Sequence, residues 1–207
     1  MAIPTSDMPG HRALHERVVR ALDTCIESQG VDFKESAPWS VLQYKIIRTA
    51  LAMANLRDGG VLVIGASERG NQWALTGVSD EHFATYDVDD VIDAIHKFAS
   101  PSVEIALVVV VYGNERRFLT LQVFEFVDTP IVCRRSGPPD SGLKQGAVYV
   151  RPPGVARTTE VQSSDQMHDL LNLAAEKRAR GMLETARRIG LEPTPSKKPF
   201  DEELGGL

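Results

Sequence analysis

Between residues 11 and 28, apolar Leu14, Val18, Leu22 and Ile26 recur at four-residue spacing with Arg and Glu around them, which predicts an amphipathic helix. Gly30 ends it, and Val31-Asp32-Phe33-Lys34 then alternates apolar and polar as a half-buried strand does. Pro38 marks the start of a second helix, running to about Asn55, with a stripe of Leu42, Ile46, Ile47, Ala50, Leu51 and Ala54. Arg57-Asp58-Gly59-Gly60 stops that helix, because glycine tolerates the left-handed conformation that closes a last turn. Residues 61–64 read as a short apolar strand, 65–71 as a polar turn, and 73–78 as the strand after it. A helix is expected over 88–99, with Val91, Ile92, Ile95 and Phe98 inward and Pro101 beyond. Residues 103–112 and 117–127 predict a hairpin through Gly113-Asn114. Residues 134–146 are loop-like, 147–151 form a last strand, and 164 to about 189 are helical with an interruption at Gly181.

Hairpins interleaved with helices predict an α+β fold, a mixed or antiparallel sheet flanked by helices, rather than a repeating parallel βαβ design. The expected organisation is a flexible N-terminus over 1–10, one domain over 11–180, and a helical extension with a mobile tail over 181–207.

The formal charge of −5 argues against affinity for nucleic acid over the whole surface, since phosphate binding needs clustered Lys and Arg. Any such binding must use a local basic surface. Two cysteines, Cys25 and Cys133, cannot make a disulfide framework or a cysteine-rich zinc site, so a reduced, cytoplasmic setting is expected. No apolar stretch has the length needed to span a bilayer, and no membrane association is expected.

Four landmarks follow one another in order. They are the run from Gly30 to Ser36; Ala52-Met53-Ala54-Asn55 with the segment 58–65 behind it; the polar turn with Gly77-Val78 after it; and Gly146-Ala147-Val148-Tyr149-Val150-Arg151 leading to Ala156-Arg157-Thr158. The arrangement resembles the AlbA_2 domain of Schlafen proteins over roughly residues 20–175. The resemblance implies a compact α+β fold and association with DNA or RNA. It also implies, from the nuclease core of animal Schlafens, three clustered acids that hold a divalent metal. Glu27 and Asp32 match two of those acids by spacing, and Glu68 is the candidate for the third; a second register at that turn puts Arg69 there instead.

Phosphodiester cleavage with Mg²⁺ or Mn²⁺ needs carboxylate oxygens converging on one ion, so Glu27, Asp32 and Glu68 are the candidate catalytic and metal-holding set. The bland alternative makes Glu27 a helix cap and the other two solvated acids. Lys34 either contacts a phosphate, balances the carboxylates, or blunts a strand edge. For phosphate, the planar fork of arginine makes Arg151 and Arg157 the leading candidates, with Arg134 and Arg135, and then Lys144, Arg48 and Lys45. The run Lys177 to Arg180 is read as a solvated helix face. Trp39, Trp73 and Tyr149 are able to stack on bases, but Trp39 beside a helix start and Trp73 in a strand are expected to be packing residues. The segment Gly65 to Gly70 lacks the middle glycine of a dinucleotide loop, and no phosphate loop is present, so no nucleotide cofactor is indicated.

Three functions therefore stand side by side. The first is a regulatory nucleic-acid-binding module using Lys34, Arg134, Arg135, Arg151 and Arg157. The second is a metal-dependent endoribonuclease built on Glu27, Asp32 and Glu68. The third is a protein-interaction or homo-oligomerisation module that docks through the long C-terminal helix.

Overall fold

The computed structural model describes residues 9–70 and 72–191; the segments expected to be a flexible start and a mobile tail fall largely outside them. Helix α1 (Pro9–Thr24) buries Val18, Ala21 and Leu22. Ile26, expected on the same stripe, lies past the helix end and is 66% exposed. Strand β1 (Val31–Lys34) and helix α2 (Trp39–Ala54) follow as predicted. After the two-glycine turn comes β2 (Gly60–Ile64), buried at every position. Gly59 has φ +64, and a Cβ there would collide with Val123 O, so the turn admits no side chain.

Residues 66–69 differ from the expected polar turn. Ala66–Arg69 is a strand, β3, paired antiparallel with β4 (Gln72–Leu75). Its residues are polar because it is a two-stranded ribbon with little to bury, so apolar alternation gave no signal. A short α3 (Asp80–Phe83) precedes α4 (Val88–Phe98), which runs into the two-residue β5 (Ala99–Ser100). The hairpin of β6 (Ile105–Tyr112) and β7 (Arg116–Val123) turns through Gly113, Asn114 and Glu115, all at positive φ. Short strands β8 (Val132–Cys133), β9 (Tyr149–Val150) and β10 (Thr159–Glu160) lead to α5 (Ser164–Arg188). That helix is continuous through Gly181, whose cost of about 1 kcal/mol is small against the rest of a 25-residue helix.

The main sheet has the order β1-β2-β7-β6. β1 and β2 are parallel, with α2 as the crossover, while β2–β7 and β7–β6 are antiparallel. Leu62, Ile64, Leu119, Leu121 and Val123 pack on one face against α2, α4 and α5. Phe33, Val61, Val63 and Phe118 pack on the other against α1. A strand covered on both faces must be apolar at successive positions, which explains the unbroken Gly60–Ile64 run.

Candidate functional site

β1 is an edge strand, and its chemistry follows from its alternation. Val31 and Phe33 enter the core under α1, which turns Asp32 and Lys34 toward the opposite face. In the backbone, Gly30 O accepts from Val61 N–H (2.9 Å) and Lys34 O from Gly65 N–H (2.9 Å), so even-numbered positions serve the ladder with β2. Val31 and Phe33 therefore direct their N–H and C=O groups outward, where no strand follows.

All four groups are answered. Val31 N–H donates to Ser28 O (3.2 Å), and Val31 O accepts from Ser28 N–H (3.1 Å) and from Arg151 Nη2 (3.2 Å). Phe33 N–H donates to Glu27 Oε1 (3.0 Å), and Phe33 O accepts from Lys34 Nζ (3.1 Å). Three charged side chains thus close this edge.

Arg151 is the centre of the closure and only 1% exposed. Its Nε donates to Gln29 O (2.7 Å), Nη1 to Asp32 Oδ1 (3.0 Å), and Nη2 also to Ser28 O (3.0 Å). Gln29 Nε2 donates back to Arg151 O (2.6 Å), so the two segments clasp each other. Asp32 is buried as well, and its second oxygen takes the Lys34 ammonium. Two acids and two bases neutralise one another in this cluster. Burial is the main influence on Glu27 and holds its carboxyl above the usual carboxylate range, with the Phe33 N–H bond pulling the other way.

Arg151 owes its place to Asn55. The buried Asn55 amide donates to Ile131 O (2.9 Å) and Tyr149 O (3.0 Å), and its oxygen accepts from Ile131 N–H (2.7 Å). These bonds fix the end of α2 to the β8 and β9 segments, two residues before Arg151.

The sequence-based site expectations meet these contacts unevenly. The early acidic strand, the double-glycine strand and the late arginine do assemble, but onto one another. Arg151 is not presented to a phosphate, because burial and four bonds inside the fold occupy its fork. Lys34 is engaged with Asp32 and Phe33 O. Glu27, Asp32 and Glu68 do not form an ion-holding set, and among the described residues no three His, Cys, Asp or Glu side chains do. Asp32 already has a cation on each oxygen. Glu68 stands exposed on β3 opposite Trp73, with Arg69 beside it. This donor set does not fit Mg²⁺ or Mn²⁺. Trp73 tilts against Phe33 (5.7 Å between centroids), Trp39 meets Tyr86 edge-on (5.9 Å), and Tyr149 is buried, so all three are packing residues.

The basic residues gather elsewhere. β5 and β8 pair Ala99 with Cys133, which sets Arg134 and Arg135 beside the end of α4. Arg134 N–H donates to Phe98 O (2.7 Å), and the Arg135 guanidinium lies over the Phe98 ring (4.8 Å). The same ring meets Tyr44 of α2 edge-on (6.3 Å). Lys45 is exposed next to Tyr44, and Arg48, one turn on, lies against Gly142 in the loop that Arg134 begins. A Cβ on Gly142 would collide with the Arg48 guanidinium. Arg48 Nε is buried without a hydrogen-bond partner among the described residues. Lys144, in the same loop, pairs with Glu160 (2.8 Å), and Arg157 is exposed in the turn between β9 and β10. Sequence reading missed the Phe98 and Tyr44 platform and the Gly142 contact, since a two-residue strand pairing leaves no periodic trace.

A cleft of about 910 Å³ opens beside the β1 closure, between α1 and α5, with Arg17, Arg57, Asp169 and Glu176 in its wall. Its charges are already matched in part, since Arg57 pairs with Glu176 (2.7 Å) and Arg17 donates to Gly59 O (2.8 Å).

Comparison with known proteins shows what this architecture is shared with. No curated protein matches the chain. The crystal structure of the DIP2311 protein from Corynebacterium diphtheriae superposes with a TM-score of 0.51 at 16% identity, over 78% of this chain and 32% of that one. The chain thus spans about a third of that protein's length. The solution structure of the N-terminal domain of a protein from Nitrosomonas europaea, described as related to the ATP-dependent DNA helicase RecG, gives a TM-score of 0.43 at 15% identity, over 72% of this chain and 90% of that domain. The model of the family described as Schlafen, AlbA_2 matches residues 27–154, from the carboxylate that caps β1 to just beyond the arginine that closes it. The chain belongs to the Schlafen AlbA_2 family.

Proposed function

We propose that the protein binds nucleic acid by its phosphate backbone, through the surface of Lys45, Arg48, Arg134 and Arg135. The observation that carries this reading is the Arg135 guanidinium over the Phe98 ring, which Tyr44 meets edge-on, with Arg48 against the loop that Arg134 begins and, among the described residues, no ion pair to Lys45, Arg48, Arg134 or Arg135. A chain of net charge −5 needs such a local concentration of cations to attract a polyanion. Family membership is in keeping with a nucleic-acid role and leaves DNA and RNA open.

The test is fluorescence anisotropy with labelled single-stranded and duplex DNA and RNA across a salt series. Affinity is expected to fall steeply with salt, by about 0.7 to 0.9 logarithmic units per phosphate neutralised for each tenfold rise. Arg134→Glu with Arg135→Glu should flatten that slope by roughly 2 and weaken binding at least about tenfold near 0.1 M salt. Salt-independent binding, or full affinity in the double variant, contradicts the reading.

A further inference from the structure

The two edges of the main sheet are treated in opposite ways. At β1, every outward backbone group is met by a side chain or a local turn, as described above. At the other edge lies β6, whose eight residues, Ile-Ala-Leu-Val-Val-Val-Val-Tyr, include no charge, proline or glycine. Its register with β7 is unbroken from Ile105–Val123 to Tyr112–Arg116, so no bulge twists it away. Among the described residues nothing pairs with its outer side. Charges, prolines, bulges and covering segments are the usual means by which a strand edge is kept from pairing. Among the described residues β6 has none of them, and its Val111 is 62% exposed.

We infer that β6 is a homodimerisation edge, pairing antiparallel with β6 of a second copy about a two-fold axis to make one eight-stranded sheet. A second copy fits this edge because an antiparallel edge is self-complementary under a two-fold, each residue meeting the symmetric position of the same strand. The side-chain rows also match. Val108, Val110 and Tyr112 face the α1 side and meet the same row across the axis, while Ile105, Leu107 and Val109 do so on the α4 side. Charge supports the same pairing. Helix α4, which packs beneath β6, carries Asp89 and Asp90 in its first turn and His96 and Lys97 in its last. The two-fold sets the acidic end of one α4 toward the basic end of the other. This inference is independent of the nucleic-acid reading.

The experiment uses the full chain and combines sedimentation equilibrium with hydrogen exchange at several concentrations. The expected result is a mass twice that of the 22.7 kDa chain, with amides of 105–112 gaining protection as the dimer forms and the Phe33 amide protected at every concentration. Val111→Lys, at an exposed position, should give a monomer with an unchanged circular dichroism spectrum. A monomer at all concentrations up to about 0.1 mM overturns the inference. So does a dimer whose β6 amides gain no protection, protection of those amides in a monomer, or a Val111→Lys variant that still dimerises.

Discussion

A carboxylate and a guanidinium taken out of water together lose much of their solvation, and their attraction in the interior offsets that loss only if the remaining lone pairs and N–H groups are also met. At Asp32 and Arg151 they are met, by Lys34 and by the carbonyls of Ser28, Gln29 and Val31. Glu27 sits beside this pair under a different balance, since burial disfavours its charge while its bond to Phe33 N–H needs only an acceptor oxygen. Its folded-state carboxyl takes up a proton at a higher pH than in the unfolded chain, so stability rises as pH falls through that raised range. Glu27→Gln keeps the acceptor and removes the charge. It should equal or exceed the wild type in melting temperature at pH 7, and that advantage should shrink as pH is lowered. An advantage that does not change with pH, or a less stable variant at neutral pH, goes against the assignment. The identities of Glu27, Asp32, Lys34 and Arg151 were legible in the chain, but their roles were not. The same residue types serve a phosphate site and a buried ion pair, and only the meeting of segments some 120 residues apart separates the two.

Among the elements, the end of α2 does the most to place the others. Its C-cap Asn55 makes three bonds to backbone groups of Ile131 and Tyr149, all out of contact with water. Removing that amide leaves buried donors and acceptors without partners, at about 1–3 kcal/mol each. Asn55→Ala should therefore lower the urea unfolding free energy by at least about 3 kcal/mol and speed exchange at the Ile131 amide. A loss below about 1 kcal/mol would show that the amide does not hold these segments. Elements with a strong period were legible. Helices α1, α2 and α4, strands β1 and β2, and the β6–β7 hairpin all stand within a few residues of expectation. Strand β3 was not, since an exposed polar ribbon has no apolar alternation, and β5, β8 and β10 are two residues each. Gly181 suggested a break because glycine lowers helix propensity, but helical residues on both sides outweigh it.

In the whole molecule, the charges that resemble an active site lie at one edge of the sheet and are bound to each other, while Arg135 lies over Phe98 on the face covered by α2 and α4. One edge is closed by side chains, and nothing among the described residues pairs with the other. The α+β class and the family were legible because they depend on the order of elements and on spacing. The surface offered to a ligand was not, because burial decided it. The most direct test of this division is a double-mutant cycle on Asp32→Leu and Arg151→Met, read by urea unfolding. Each single variant leaves its partner's charge buried and should lose about 3–5 kcal/mol, while the double variant should lose less than the sum by more than about 1 kcal/mol. Single variants as stable as the wild type, or losses that add to within about 0.5 kcal/mol, would show that the pair does not close the fold.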